Sequence, residues 1–189
     1  CNSSIAAVDG DGNVTGIIGG VVNITVYAAE TDEYLPGSKN LTVTVNKLTP
    51  KITIDNGDSD VVDVDGNLII SANTTSDGDI TYASNATNVA TVDAEGNVTG
   101  VTGGVVNITV KSVETPKYNE LTKNIIVTVN KLTPKITINN GNPVSVDVKS
   151  TVNINATKGD SDGILKYASG NESRAVIGTR GNIRGVTGY

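Results

Sequence analysis

Residues 1–46 of this chain return, nearly letter for letter, at 85–130. Gly12-Asn13-Val14-Thr15-Gly16 reappears as Gly96-Asn97-Val98-Thr99-Gly100, and Gly19 to Val26 as Gly103 to Val110. Asn46 to Ile54 recurs unchanged at 130–138, again 84 residues on, and a third glycine motif stands at Gly181-Asn182-Ile183-Arg184-Gly185. Catalysis needs one set of unlike groups converging on one point, which near-identical copies do not supply. A tandem array serves length, display or many weak contacts. The expectation is a chain that is not an enzyme, with no catalytic residue and no cofactor.

Composition narrows the choice further. Histidine, the usual physiological proton shuttle and commonest metal ligand, is absent. Val, Ile, Thr, Asn and Gly dominate, a bias toward strands and turns. A formal net charge of −6 without a basic stripe argues against nucleic acid, because nothing would displace counterions from phosphate. No apolar run approaches the roughly 18 residues of a membrane span, and no signal peptide is visible. With Cys1 first and no methionine, the chain reads as a fragment or processed product whose secretory and anchoring signals lie outside it. A lipid-bearing Cys1 is the weaker reading, since Cys1 aligns with Asn85 and Gly170 in the loop ahead of a strand.

The local pattern is many short strands. In Val105 to Val110, Val106, Ile108 and Val110 share one face and Asn107 and Thr109 the other, the period of a half-buried strand. Alignment of the copies tells which face is inside. Leu68, Ile70 and Ala72 match Val152, Ile154 and Ala156, while Ile69 and Ser71 match Asn153 and Asn155, which places the intervening positions in water. Val43 and Val45 match Val127 and Val129, with Thr44 and Thr128 between them expected to be exposed. Further strands are expected at 51–54, 61–64, 80–84, 90–93 and 97–102, seven or eight per unit. Asp65-Gly66-Asn67, Ala94-Glu95-Gly96-Asn97 and Asp9-Gly10-Asp11-Gly12 supply residues for tight hairpins. Gly103-Gly104 suggests a bulge or a close backbone approach.

A unit of about 84 residues built from such strands should be a two-layer sandwich with its own core. Tyr82-Ala83-Ser84, Val89 to Asp93, Gly96 to Gly100, Gly104 and Asn107 to Val110 follow an order that resembles the group 2 bacterial immunoglobulin-like domain. Tyr82 and Tyr167 stand where that family often carries Trp, which implies a smaller core. The resemblance implies an all-β fold of tandem immunoglobulin-like β-sandwich repeats in an extracellular setting. Such modules occur in intimin- and invasin-like adhesins, archaeal surface proteins, phage structural proteins and secreted enzymes. It also implies a phase: residues 1–46 form the C-terminal half of one repeat, 47–130 a complete repeat, and 131–189 the N-terminal part of a third. The joint at 46–50 is then almost without linker, and Pro50 and Pro134 bias it toward a semi-rigid, extended geometry.

Four features could carry chemistry. Asp9, Asp11, Asp63 and Asp65 resemble pieces of oxygen-ligand calcium loops. However, the first pair aligns with a segment carrying Arg180 and the second with Asp147-Val148-Lys149, so hairpin turns are the preferred reading and no metal is expected. Asn2, Asn13, Asn23, Asn40, Asn73, Asn85, Asn97, Asn107, Asn155 and Asn171 head Asn-x-Ser/Thr sequons and are candidates for N-glycosylation. An alternating strand written in Asn, Val, Ile and Thr also generates such triplets by itself. Self-formed Lys–Asn crosslinks would need charged residues at inward positions, and none recurs there. For sugar binding the tyrosines matter: Tyr82 and Tyr167 recur in strands and read as buried, Tyr34 and Tyr118 recur before the last strand, and Tyr27 and Tyr189 have no counterpart.

The leading expectation is a non-catalytic structural stalk or adhesin segment, exported to the cell surface, anchored outside these residues and spacing a distal binding region. Its partners are neighbouring repeats of the same chain and a host or cell-wall glycan or surface protein. The alternatives are a carbohydrate- or cell-wall-binding module, or accessory repeats of a secreted hydrolase.

Overall fold

The alternating segments become strands, with no helix, among residues 4–187, which are the residues that the computed structural model describes. Cys1, the sequon residue Asn2 and Tyr189 lie outside the described residues. The strands are β1 (Ala6–Val8), β2 (Val14–Gly16), β3 (Gly20–Ala28), β4 (Gly37–Val45), β5 (Ile52–Ile54), β6 (Ser59–Asp63), β7 (Asn67–Ile69), β8 (Ala72–Thr74) and β9 (Ile80–Ser84). They continue as β10 (Ala90–Val92), β11 (Asn97–Gly100), β12 (Gly104–Ser112), β13 (Leu121–Asn130), β14 (Thr137–Ile138), β15 (Thr151–Asn153), β16 (Ala156–Thr157), β17 (Ala175–Ile177) and β18 (Asn182–Gly185). The chain divides into two units, Cys1–Lys131 and Leu132–Tyr189.

Within the first unit, β5 to β13 build an immunoglobulin-like sandwich. One layer is the four-stranded sheet β6-β13-β12-β9, in which β6 runs parallel to β13 and the other pairs are antiparallel. The other layer carries β10-β11-β7 and the pair β5-β8. Between them lies a core of Ile52, Ile54, Val62, Ile70, Ala90, Val98, Val106, Ile108, Val110, Ile125, Val127 and Val129. Each Val or Ile withdrawn there stabilises the fold by about 1.5–3 kcal/mol. Ile69 and Ser71 face water, as the copy comparison predicts.

Three expectations need correction. Strands β5 to β13 number nine, not seven or eight, because the predicted strand around Ile70 is interrupted: β7 pairs with β11 and β8 with β5. Thr128 is half-buried rather than exposed, because β13 is an inner strand and Val105 and Val61 flank Thr128 on either side. Tyr82 and Tyr167 are half-buried rather than buried, and Tyr167 belongs to no strand.

The rest of the first unit comprises the hairpins β1-β2 and β3-β4. Ala6, Val22 and Ile24 are buried, while Val26 and Leu41 on the same apolar set are exposed. The second unit has β14 paired with β16 and the sheet β15-β18-β17. Its registers repeat those of the first: Val152 faces Ile183 as Leu68 faces Val98.

Candidate functional site, the joint at residues 46–50

The segment Asn46 to Ile54, which recurs unchanged at 130–138, contains the most densely bonded connector of the first unit and is taken as the candidate site. Residues 46–50 leave β4 and enter β5, and they are clamped to the loop between β12 and β13. The Leu48 N–H donates to the Lys117 carbonyl at 2.8 Å, and the Asn119 N–H donates to the Leu48 carbonyl at 2.9 Å. This makes a short parallel bridge between Leu48 and Tyr118. The Gly19 N–H donates to the Pro116 carbonyl at 2.8 Å. Lys47 Nζ meets Glu114 Oε1 at 2.5 Å, and this contact holds the Glu114 carboxyl below the ordinary glutamate range. The Lys47 stem lies over Gly19, where a Cβ would sit 2.5 Å from Lys47 Cγ. Pro50 closes the segment and is buried.

The receiving loop is pre-shaped by its own threonine. Thr115 Oγ1 accepts the N–H groups of Lys117 and Tyr118 at 3.2 and 3.0 Å. The aligned loop does the same, with Thr31 Oγ1 accepting from Glu33 and Tyr34 at 3.3 and 3.1 Å. Gly103 meets the expectation of a close approach, but what approaches is the Lys131 side chain, aligned with Lys47 over Gly19. No bulge forms there, since β12 and β13 pair residue for residue from Gly104.

The acidic loops are built as turns. Asp9 Oδ1 accepts the N–H groups of Asp11 and Asn13 at 3.1 and 2.8 Å, and Asp9 Oδ2 accepts from Asn13 Nδ2 at 2.8 Å. Asp93 repeats the pattern with Glu95 and Asn97. Both carboxyls are held below the ordinary range, first by the asparagine side chain and then by backbone N–H groups. Gly96 at φ 86° completes the turn, and a Cβ there would sit 2.6 Å from the Ile70 carbonyl and 2.9 Å from Tyr82 Cζ. In the other loop the left-handed residue is Asp65 itself, at φ 61°, and its counterpart Lys149 takes φ 65°. Asp63 Oδ1 accepts from Asn130 Nδ2 at 3.2 Å. Among the described residues, no group of three or more His, Cys, Asp or Glu is placed to hold a metal.

The sequons fall into distinct settings. Asn13 and Asn97 spend Nδ2 on their turns. Asn23 and Asn40 stand on neighbouring strands, and each accepts from the other's threonine, Thr42 at 2.8 Å and Thr25 at 2.7 Å. Asn85 Oδ1 accepts the Asn107 N–H, and Asn171 Oδ1 accepts from Ser173. Asn73, Asn107 and Asn155 are exposed. Of the tyrosines, Tyr118 is half-buried at the joint, whereas Tyr27 and Tyr34 are 77% and 72% exposed.

One repeated device is not evident from strand patterning. Asn56 spans the interruption between β7 and β8: its Nδ2 donates to the Ile69 carbonyl at 3.0 Å and its Oδ1 accepts the Ser71 N–H at 3.0 Å. Asn140 does the same for the Asn153 carbonyl and the Asn155 N–H. The available signal was the recurrence of Asn56-Gly57 as Asn140-Gly141, which reads on its own as a turn.

Comparison with known proteins gives consistent but limited likenesses. The S-layer protein SbsC, domains 4 and 5, aligns at 23% identity and TM-score 0.37, over 68% of this chain and 66% of that one. An intimin mutant of EHEC O157:H7 aligns at 23% and 0.33, over 47% and 50%. Drosophila N-cadherin EC1-3 aligns at 15% and 0.41, over 97% and 73%. The chain thus spans less than two thirds of the length of the first two. No curated protein matches. The model of the bacterial Ig-like domain of group 2 matches residues 42–120, which run from within β4 through β5 to β12 and end just before β13. Residues 42–120 therefore belong to the group 2 bacterial Ig-like domain family.

Proposed function

We propose that this chain is a structural segment of an exported cell-surface protein, a non-catalytic stalk or adhesin region that holds a distal binding region away from the surface. In this reading 1–46, 47–130 and 131–189 are parts of three successive repeats, and neighbouring repeats are each other's first partners. The observation that carries it is the joint. Residues 46–50 are hydrogen-bonded to the 113–119 loop instead of running free, and Asn46 to Ile54 recurs intact at 130–138. A connector fixed by backbone hydrogen bonds transmits length where a flexible linker would coil. The exposed sequons then serve as attachment points for a glycan coat. Small-angle scattering on arrays of one, two and four repeats tests this: the maximum dimension should grow by a constant increment per repeat. Growth that flattens toward the scaling of a coil or a globule overturns it.

A second reading, a glycan- or cell-wall-binding module, draws on the exposed rings of Tyr27 and Tyr34. Binding to cell-wall polysaccharide that is lost in the Tyr27→Ala/Tyr34→Ala double variant would favour it over the stalk.

A further inference from the structure

The turn between β5 and β6 holds the pair Asn56-Gly57, whose covalent chemistry the fold controls. In an open chain, the backbone nitrogen of the residue after an asparagine attacks the side-chain carbonyl carbon Cγ. Glycine permits this most readily, because it has no Cβ to hinder the approach. The N–Cγ bond forms, the Cγ–Nδ2 bond breaks, and Nδ2 leaves as ammonia with the proton from the backbone nitrogen. One water then opens the cyclic imide at either carbonyl, giving aspartate or isoaspartate.

Each group in that reaction is engaged in the structure. The Gly57 N–H, which must give up its proton, donates to the Ile54 carbonyl at 3.1 Å. Both protons of Asn56 Nδ2 are spent, one on Asp60 Oδ2 at 2.7 Å and one on the Ile69 carbonyl at 3.0 Å. Asn56 Oδ1 accepts the Ser71 N–H at 3.0 Å, which fixes the carbonyl that would be attacked. A second clasp lies beside the first: Ser71 Oγ donates to Asp55 Oδ2 at 2.7 Å, and the Asp55 N–H donates to the Ser71 carbonyl at 2.9 Å. Asn56 and Asp60 are both half-buried.

The bridge also requires an amide. Residue 56 donates to Ile69 and accepts from Ser71 at once, and a carboxylate can only accept. An aspartate there sets its charge against Asp60 and has no proton for the Ile69 carbonyl. An isoaspartate also lengthens the main chain between β5 and β6 by one methylene.

We propose that Asn56-Gly57 is a deamidation site latched by the fold. The pair is inert while Asn56 spans β7 and β8, and it reacts when the 55–58 turn leaves Ser71 and Asp60. The acid so formed prevents the latch from closing again. Asp60 is a positioning residue for this reaction, since it holds the nitrogen that must depart.

Peptide mapping by mass spectrometry of the full chain, incubated in mildly alkaline buffer below its melting temperature, reads the acid formed at 56. It separates that site from the recurring pair Asn140-Gly141. Conversion at 56 should be at least tenfold slower in native buffer than in guanidinium chloride at the same pH. Asp60→Ala, which keeps the Ile69 and Ser71 bonds and frees one Nδ2 proton, should raise the native rate at least threefold and leave the rate in guanidinium unchanged. Asn56→Asp should melt below Asn56→Ala, because it adds a charge beside Asp60 where alanine only removes bonds. Equal rates in native buffer and guanidinium, a native rate that Asp60→Ala leaves unmoved, or an Asn56→Asp variant as stable as Asn56→Ala overturns the proposal.

Discussion

The hairpins β3-β4 and β12-β13 carry nearly the same sequence and the same pairing, with Val22 opposite Val43 as Val106 is opposite Val127, yet they occupy different environments. Val110 and Ile125 are fully buried, while the aligned Val26 and Leu41 are 64% and 57% exposed. Their outer faces agree: Thr25 donates to Asn40 at 2.7 Å and Thr109 to Asn124 at 2.9 Å. Two things differ: β12-β13 is flanked by β9 and β6 and its inner face meets β5, Ile70 and β10-β11, whereas among the described residues β3-β4 is a two-stranded sheet with β1-β2 in the corresponding place. A hairpin is thus assembled from local pairing, and its contribution to stability comes from the layer opposite.

The largest test of that contrast is charge insertion. Val127→Asp should unfold the β5–β13 sandwich at neutral pH, since an unpaired buried carboxylate costs several kcal/mol. Val43→Asp, at the half-buried aligned position, should leave the sandwich's thermal melt unchanged. Equal loss in both variants would mean that the two hairpins share one cooperative core. Cavity creation should separate them by a smaller margin. Ile125→Ala should cost about 2–5 kcal/mol in a urea titration, and Leu41→Ala should stay within about 0.5 kcal/mol of wild type.

Asn56→Ala should cost about 1 kcal/mol through loss of the hydrogen bonds across the β7–β8 interruption. The same change at Asn140 should speed amide exchange around Asn155 without moving the main transition of the first unit. The smallest effect concerns the joint. Because Lys47 depresses the Glu114 pKa, the stabilisation from this pair is present above the ordinary glutamate range and is lost as pH falls through the lowered value. The difference in melting temperature between wild type and Glu114→Gln should therefore be measurable at neutral pH and vanish in acid. A difference that persists at low pH would assign the effect to packing of the Lys47 stem on Gly19.

Much of the fold was legible because β structure writes its two faces into alternate residues. The inward set Val106, Ile108, Val127 and Val129 and the outward Asn107 follow from that period and from comparing copies. The expected strand at 80–84 appears as Ile80–Ser84, and the Ala94–Asn97 turn forms where its glycine stands. The joint was only partly legible. Pro50 announced an extended, stiff connector, but the Lys47–Glu114 and Leu48–Tyr118 contacts link residues about 70 apart, and nothing in either segment names the other. The Asn56 bridge was hidden for the same reason, its partners lying 13 and 15 residues away across an interruption that no period reveals.

The sequence by itself determined the repeat, the strand faces, the turn residues and the hairpin registers, because each depends on neighbours a few residues apart or on comparing one copy with the next. Tertiary structure alone decided which copies of an identical apolar face are covered. Burial of the inner face comes from the opposite layer, which β5, β7, β8, β10 and β11 supply to β12-β13, while Val26 and Leu41 of β3-β4 stay exposed. It also decided where the outer strands of the sheet form: β6 and β9 pair with β13 and β12, which satisfy their backbone groups.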